Sequence, residues 1–215
     1  MDIVRALKFP FDDNEWMVKT VIGSLMMLVA IIFPPIFLGY QVVVARRVMR
    51  GSDRPLPGSE DLGQILTDGI MATIATLVYL IPILPLLCVM GVVSSLSGDD
   101  AGALFALCIT GGISLLLIPY GLLVSVVSWA GMIRYAETGN FSSFVQFRTL
   151  LRDVQDNLGT FVTLMLYYLL LGLIASIVAP LSLITCVGIF VVIFFSQTAT
   201  GHLIGQAGRM VHEGI

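Results

Sequence analysis

Charge is scarce in this sequence. Only 12% of its 215 residues are Asp, Glu, Lys or Arg, 57% are hydrophobic, and the mean hydropathy is +0.98. Soluble domains carry roughly 25% charged residues, so a water-soluble globule is excluded and a bilayer is the expected surrounding. Residues 70–96, 103–133 and 160–201 contain no Asp, Glu, Lys, Arg or His. Carriers coupled to protons or ions usually need such groups facing a cavity, so their absence weighs against coupled transport. The net charge of -3 leaves no basic surplus for nucleic acid, which is set aside as a partner. Cysteine is sparse: Cys88, Cys108 and Cys186 each stand alone in an apolar run, without a CxxC pair. They are expected to be small buried hydrophobes, with no metal or other cofactor. HExxH, GxSxG, Walker and GxGxxG patterns are also missing, so no enzymatic activity is expected. The adjacent acids Asp12 with Asp13, Glu60 with Asp61, and Asp99 with Asp100 do not share a helix face, and read as solvated loop or capping acids.

What the chain has is long apolar runs separated by breakers and basic clusters. The first, residues 17–44, would measure about 42 Å as one helix against a hydrocarbon core of about 30 Å. Pro34 and Pro35 interrupt it, removing two donors and pushing the preceding residues out of the helical region. Two short arms, 17–32 and 36–49, are therefore expected. Charge suggests how they run. A single crossing would split Arg5, Lys8 and Lys19 from Arg46, Arg47, Arg50 and Arg54, against the positive-inside tendency. A hairpin turning at the prolines keeps both clusters on the cytoplasmic side. Residues 70–96 and 103–133 then form a second hairpin with its outer turn at 97–102. The third comprises 160–179 and 184–206, separated by Pro180, Leu181 and Ser182. Six spans place all eleven Lys and Arg on one side, Arg134, Arg148, Arg152 and Arg209 included.

The expected fold is all-α: a polytopic helical membrane protein with six transmembrane segments in three hairpins, at 17–49, 70–133 and 160–206, forming a single integral membrane domain over 1–215. Polar or amphipathic stretches at 2–16, 59–69 and 141–157 precede the hairpins and read as interfacial segments, in a weak threefold pattern. In the second, Leu62, Ile65, Leu66 and Gly69 make an apolar stripe against Glu60, Asp61, Gln64 and Asp68. In the third, Phe144, Phe147, Leu151 and Val154 share a face. The N-terminal stretch carries acids as well as bases and reads as retained rather than as a signal peptide, with both termini cytoplasmic. Lys19 is expected to snorkel to the interface.

Candidate polar contacts within the membrane are Gln41, Gln197, His202 and Gln206. Gln197, Gly201 and Gly205 share a face, which reads either as a polar site or as a GxxxG helix contact with amides bonding across it; the packing reading is favoured. Candidate contacts for anionic lipid or a partner are Arg46, Arg47, Arg50, Arg54, Arg148 and Arg152, at about 1 kcal/mol per residue near an anionic surface. The function expected is a membrane scaffold or accessory subunit contacting lipid, another membrane protein or a second copy. The alternative is a permease or channel-like carrier of a neutral or lipidic solute.

FPFDDNEW at 9–16, FPPIFLGY at 33–40 followed by Arg46 and Arg47, PLPGSEDLG at 55–63, RYAETGNF at 134–141 and GHLIGQAGR at 201–209 together resemble the prokaryotic membrane family known as domain of unknown function 4013. Gly208 departs from that pattern, where an aromatic is usual. The resemblance implies a multi-pass protein of the cytoplasmic membrane of a bacterium or archaeon, and carries over no catalytic or binding residue.

Overall fold

The computed structural model describes residues 1–52, 56–95, 98, 100–182, 185 and 188–213. Among them there are helices and turns and no strand. Helix α1 (Ile3–Lys8) is short and capped by the Asp2 carboxylate, which accepts from the Arg5 N–H at 3.1 Å. A 3-10 turn, Phe9–Asp12, follows with Pro10 at its start. Helix α2 (Trp16–Ile32) leaves this segment at 106°.

The break expected at the tandem prolines is present. Helix α2 stops at Ile32, Phe33 leaves the helical region at φ -126° and ψ 79°, and α3 (Pro35–Met49) starts with Pro35 in its first turn, where a missing N–H costs nothing. Gly51, at φ +67°, ends that arm in a conformation that disfavours a side chain. Helix α4 (Leu62–Leu80) gives way at the 3-10 turn Ile81–Ile83, which contains Pro82, to α5 (Leu84–Ser95), which has Pro85 in its first turn. Helix α6 (Asp100–Thr138) runs through Pro119 and Gly121 as one helix. Beyond Gly139, at φ +68°, lie α7 (Ser142–Val145), α8 (Phe147–Asp156), α9 (Leu158–Ser182) and α10 (Gly188–Glu213). Pro180 sits inside α9, so that helix extends through residues expected to separate two spans.

Four helical stretches are long and apolar enough to cross a membrane: Ser59–Ser95, Gly102–Thr138, Leu158–Ser182 and Gly188–His212. The bent pair Ile3–Asp12 with Trp16–Ile32 raises this to up to five. Helix α3, at 15 residues, is too short to pass on its own. It is nonetheless the centre of the fold, packing most extensively against α10 and α4, and also against α6 and α2. Tyr40, Met27, Ile65 and Phe194 fill one side of this centre; Ile133, Phe144, Phe161 and Leu203 fill the other. Away from it the surface is apolar. Leu107, Leu115 and Leu116 of α6 are about two-thirds exposed, at 68%, 70% and 65%, which suits lipid and not water.

Three of the expected interfacial segments are built differently. Residues 59–69 do not form a separate helix: a 3-10 turn, Ser59–Asp61, opens directly into α4. The buried face there is Ile65, Asp68 and Gly69, while Leu62 and Leu66 are exposed. The polar side turned inward because cations on α3 receive it. Residues 2–12 are docked on α10 rather than lying free. In 141–157 the chain divides at Gln146, and the apolar residues it buries are Phe144 and Leu150, leaving Phe147 and Leu151 half-exposed.

Candidate functional site

Helices α3 and α10 approach so closely that two of the candidate amides meet. Gln41 donates from Nε2 to Gln197 Oε1. A Cβ at Gly205 would lie 2.6 Å from Val48 Cβ and 2.8 Å from the Ala45 carbonyl, and one at Gly201 would lie 2.9 Å from the Gln41 carbonyl. Small residues thus bring two backbones together and the amides satisfy each other across the contact. None of the cavities beside α8, Arg134, Arg50 or the N-terminal segment is lined by Gln41 or Gln197. Replacing Gln197 by Leu leaves the Gln41 amide unpaired. The expected loss of stability is about 1 kcal/mol, smaller in the double variant Gln41→Leu with Gln197→Leu, read from thermal midpoints in detergent.

The arginines of α3 do not form the open patch expected of them. Arg46 is buried, 8% exposed, and donates from Nη1 to Asp68 Oδ2 at 2.6 Å and from Nε to the Ala136 carbonyl at 3.0 Å. Tyr135 donates to the other Asp68 oxygen at 2.8 Å, and its ring centroid is 5.8 Å from the Arg46 guanidinium carbon. One carboxylate on α4 thereby ties α3 to α6. Arg47 forks onto Asp61, 2.7 Å to each oxygen, and reaches the Leu56 carbonyl at 2.7 Å. Asp61 also accepts from the Gly58 N–H at 2.8 Å, so this acid caps the turn and pairs a cation instead of standing in solvent.

A third pair lies at the start of α2. Lys19 is 5% exposed and its Nζ is 2.7 Å from Asp13 Oδ2, so it does not snorkel. Burial pushes the Asp13 carboxyl up, but hydrogen bonds from Lys19 and from the backbone at Glu15 and Leu56, with the Lys19 charge, hold it net below the usual carboxylate range.

The remaining candidate cations face outward. Arg50 is exposed beside a cavity of about 360 Å³ next to Asp68 and Glu137. Arg148 is exposed, and Arg152 is largely exposed with Asp156 at 3.7 Å. Arg54 lies outside the described residues, as does Cys186. Cys88 and Cys108 are exposed on the apolar surface, not buried as expected. Arg134, a cation not singled out from sequence, is paired with Asp153 of α8, and His212 with Glu137 at 3.0 Å.

His202 and Gln206 belong to an open cleft of about 650 Å³ between the N-terminal segment, the end of α3 and α10. His202 is 4% exposed, its ring 4.2 Å from that of Phe9, and its Nδ1 is 3.0 Å from Gln206 Nε2. Gln206 also accepts from the Asp2 N–H at 2.7 Å and donates to the Asp2 carbonyl at 3.1 Å, which fastens the N-terminal segment to α10. The signals for these partners were weak in sequence: Asp61, Ile65 and Asp68 recur at one helical face, but nothing local says that the face turns toward Arg46 and Arg47.

Residues 22–184 match the family described as protein of unknown function (DUF4013). The phrases at 33–40, 55–63 and 134–141 fall within the match; those at 9–16 and 201–209 lie outside it. Among curated proteins and solved structures, none matches the chain.

Proposed function

Since the chain belongs to the DUF4013 family, we propose that it is a non-enzymatic scaffold or accessory subunit of a prokaryotic cytoplasmic membrane, holding lipid, another membrane protein or a second copy of itself. The observation that carries this reading is the closure of α3 on α10, with Gln41 and Gln197 bonded to each other and glycines against backbone. A carrier would use those amides to line a solute path, and here they are occupied. Helix α8 supports a membrane-surface role: Phe147 and Leu151 border apolar hollows formed with Leu123 and Val127, while Arg148 and Arg152 face outward. That is the arrangement of a helix lying at the headgroup boundary.

Co-purification from native membrane is the test. Retention of a stoichiometric lipid, a partner subunit or a second copy, identified by native mass spectrometry, is the expected result. Flux of a neutral solute through proteoliposomes containing only this chain would sink it in favour of a permease.

The finer topology we propose is six crossings in three hairpins with both termini cytoplasmic. Helices α2 and α3, about 25 Å and 23 Å long at roughly 1.5 Å per residue, would be the short pair, compensated by local thinning and by α10 and α4 around them. Ile32, 87% exposed next to the proline turn, provides the direct check. In a background lacking the native thiols, Ile32→Cys is expected to react with a membrane-impermeant maleimide only from the outer face, and Arg50→Cys only from the cytoplasmic face. Reaction of both from one face would eliminate the first hairpin.

A further inference from the structure

The cleft beside His202 has a chemistry that the scaffold reading does not use. Its hydrogen-bond directions can be worked out from one fixed donor. The Asp2 backbone N–H can only donate, so the Gln206 atom that receives it at 2.7 Å is the carbonyl oxygen, and the other terminal atom is the amide nitrogen. That nitrogen can only donate, so His202 Nδ1, 3.0 Å away, accepts. The imidazole is therefore neutral with its proton on Nε2, and among the described residues that N–H has no acceptor. The side chain is only 4% exposed, and it lines the open cleft, where a group from outside the chain can accept that N–H.

Two further donors line the same cleft. Arg5 is exposed and Arg209 half-buried, and neither forms an ion pair among the described residues. They come from opposite ends of the chain and are brought together because Gln206 holds α1 against α10. Two guanidinium groups and an imidazole line one polar space, a donor set that suits a tetrahedral oxyanion. Asp2 and Asp12 also line it, and an anion alone would leave their charge unanswered. The volume, about 650 Å³, is that of a small-molecule site and far exceeds one phosphate.

We propose that this cleft binds a phosphate ester whose other end carries an ammonium group, of the phosphoethanolamine type. Arg5, Arg209 and His202 Nε2–H take the phosphate, and Asp2 and Asp12 take the ammonium. The same group occurs on a membrane lipid and as a free soluble ester. The chemistry of the site does not depend on the scaffold reading; only the lipid as source rests on that end of the bundle lying at the bilayer surface.

The test uses the full chain in nanodiscs of phosphatidylglycerol, titrated calorimetrically with glycerophosphoethanolamine and, separately, with inorganic phosphate. Saturable binding of the ester, clearly tighter than that of phosphate, is expected. Arg209→Gln and Arg5→Gln should each weaken it about tenfold, while Lys8→Gln, outside the cleft, should leave it unchanged. Arg5 is exposed, so its variant keeps the test valid should Arg209→Gln misfold. In nanodiscs containing phosphatidylethanolamine the soluble ester should no longer register if the lipid headgroup fills the cleft; undiminished titration there assigns the site to a free ester. Absent binding, binding indifferent to both arginine variants, or equal affinity for phosphate and ester would overturn the proposal. Co-purification of a partner could still succeed in each of those cases, so failure of this site and failure of the scaffold are distinguishable.

Discussion

Asp68→Ala is expected to destabilise the bundle by about 3–5 kcal/mol, because it strands a buried guanidinium rather than merely deleting a contact. Arg46 is 8% exposed, and its carboxylate partner also receives the Tyr135 hydroxyl, so one truncation leaves two donors unmatched among α3, α4 and α6. Reversible unfolding in mixed micelles, comparing wild type with the variant, measures this. The physical cause separates cleanly from loss of packing. If the cost is the uncompensated charge, Arg46→Met combined with Asp68→Leu should recover most of the stability, since a buried pair replaced by apolar groups of similar volume is often neutral or better. Asp68→Asn, which keeps the shape and one acceptor, should fall between. A loss under about 1 kcal/mol for Asp68→Ala would mean that water reaches Arg46 and that the pair is not a tie between helices.

The contrast between Pro34 and Asp68 shows what a sequence of this kind discloses. The break at Pro34 and Pro35 was legible because its cause is local: a ring that lacks an N–H and clashes one turn back cannot continue a helix, whatever surrounds it. The contact at Gly201 and Gly205 was legible for a related reason, since small residues one turn apart on an apolar helix have few uses but close approach. Asp68 and Lys19 were misplaced because the rule applied to them, that charge seeks water, holds only for a charge without a partner. Asp68 is paired with a residue on another helix, and Lys19 with an acid across a 106° bend that periodicity does not encode. The cleft was half legible. His202 and Gln206 were singled out, but Arg5 and Arg209, which give the place its chemistry, stand far apart in the chain and meet only when α1 docks on α10.

The docking of α3 on α4 rests on a pair of glycines, and filling either is expected to be as damaging as removing Asp68. A Cβ built on Gly39 falls 1.9 Å from the Ile65 carbonyl oxygen, and one on Gly69 falls 2.1 Å from the Pro35 carbonyl oxygen. The obstacles are backbone atoms of the facing helix, so no rotamer change relieves them; the helices must separate. Separation reaches beyond the contact itself. The same two helices hold Arg46 to Asp68, and α3 holds Asp61 through Arg47, so both pairs stretch as the axes move apart. Overpacking alone costs about 1–3 kcal/mol, and with the strained ion pairs Gly39→Leu is expected to exceed that range and to prevent recovery of folded protein from detergent. Gly39→Ala should fold with a lowered thermal midpoint. Gly112 and Gly172 supply the control, having nothing within 4 Å of an added Cβ. Alanine there should be neutral or raise stability by about 0.5–1 kcal/mol through helix propensity. Similar midpoints for Gly39→Ala and Gly112→Ala would show that α3 and α4 do not meet backbone to backbone, and the placement of Asp68 beside Arg46 would have to be abandoned with that contact.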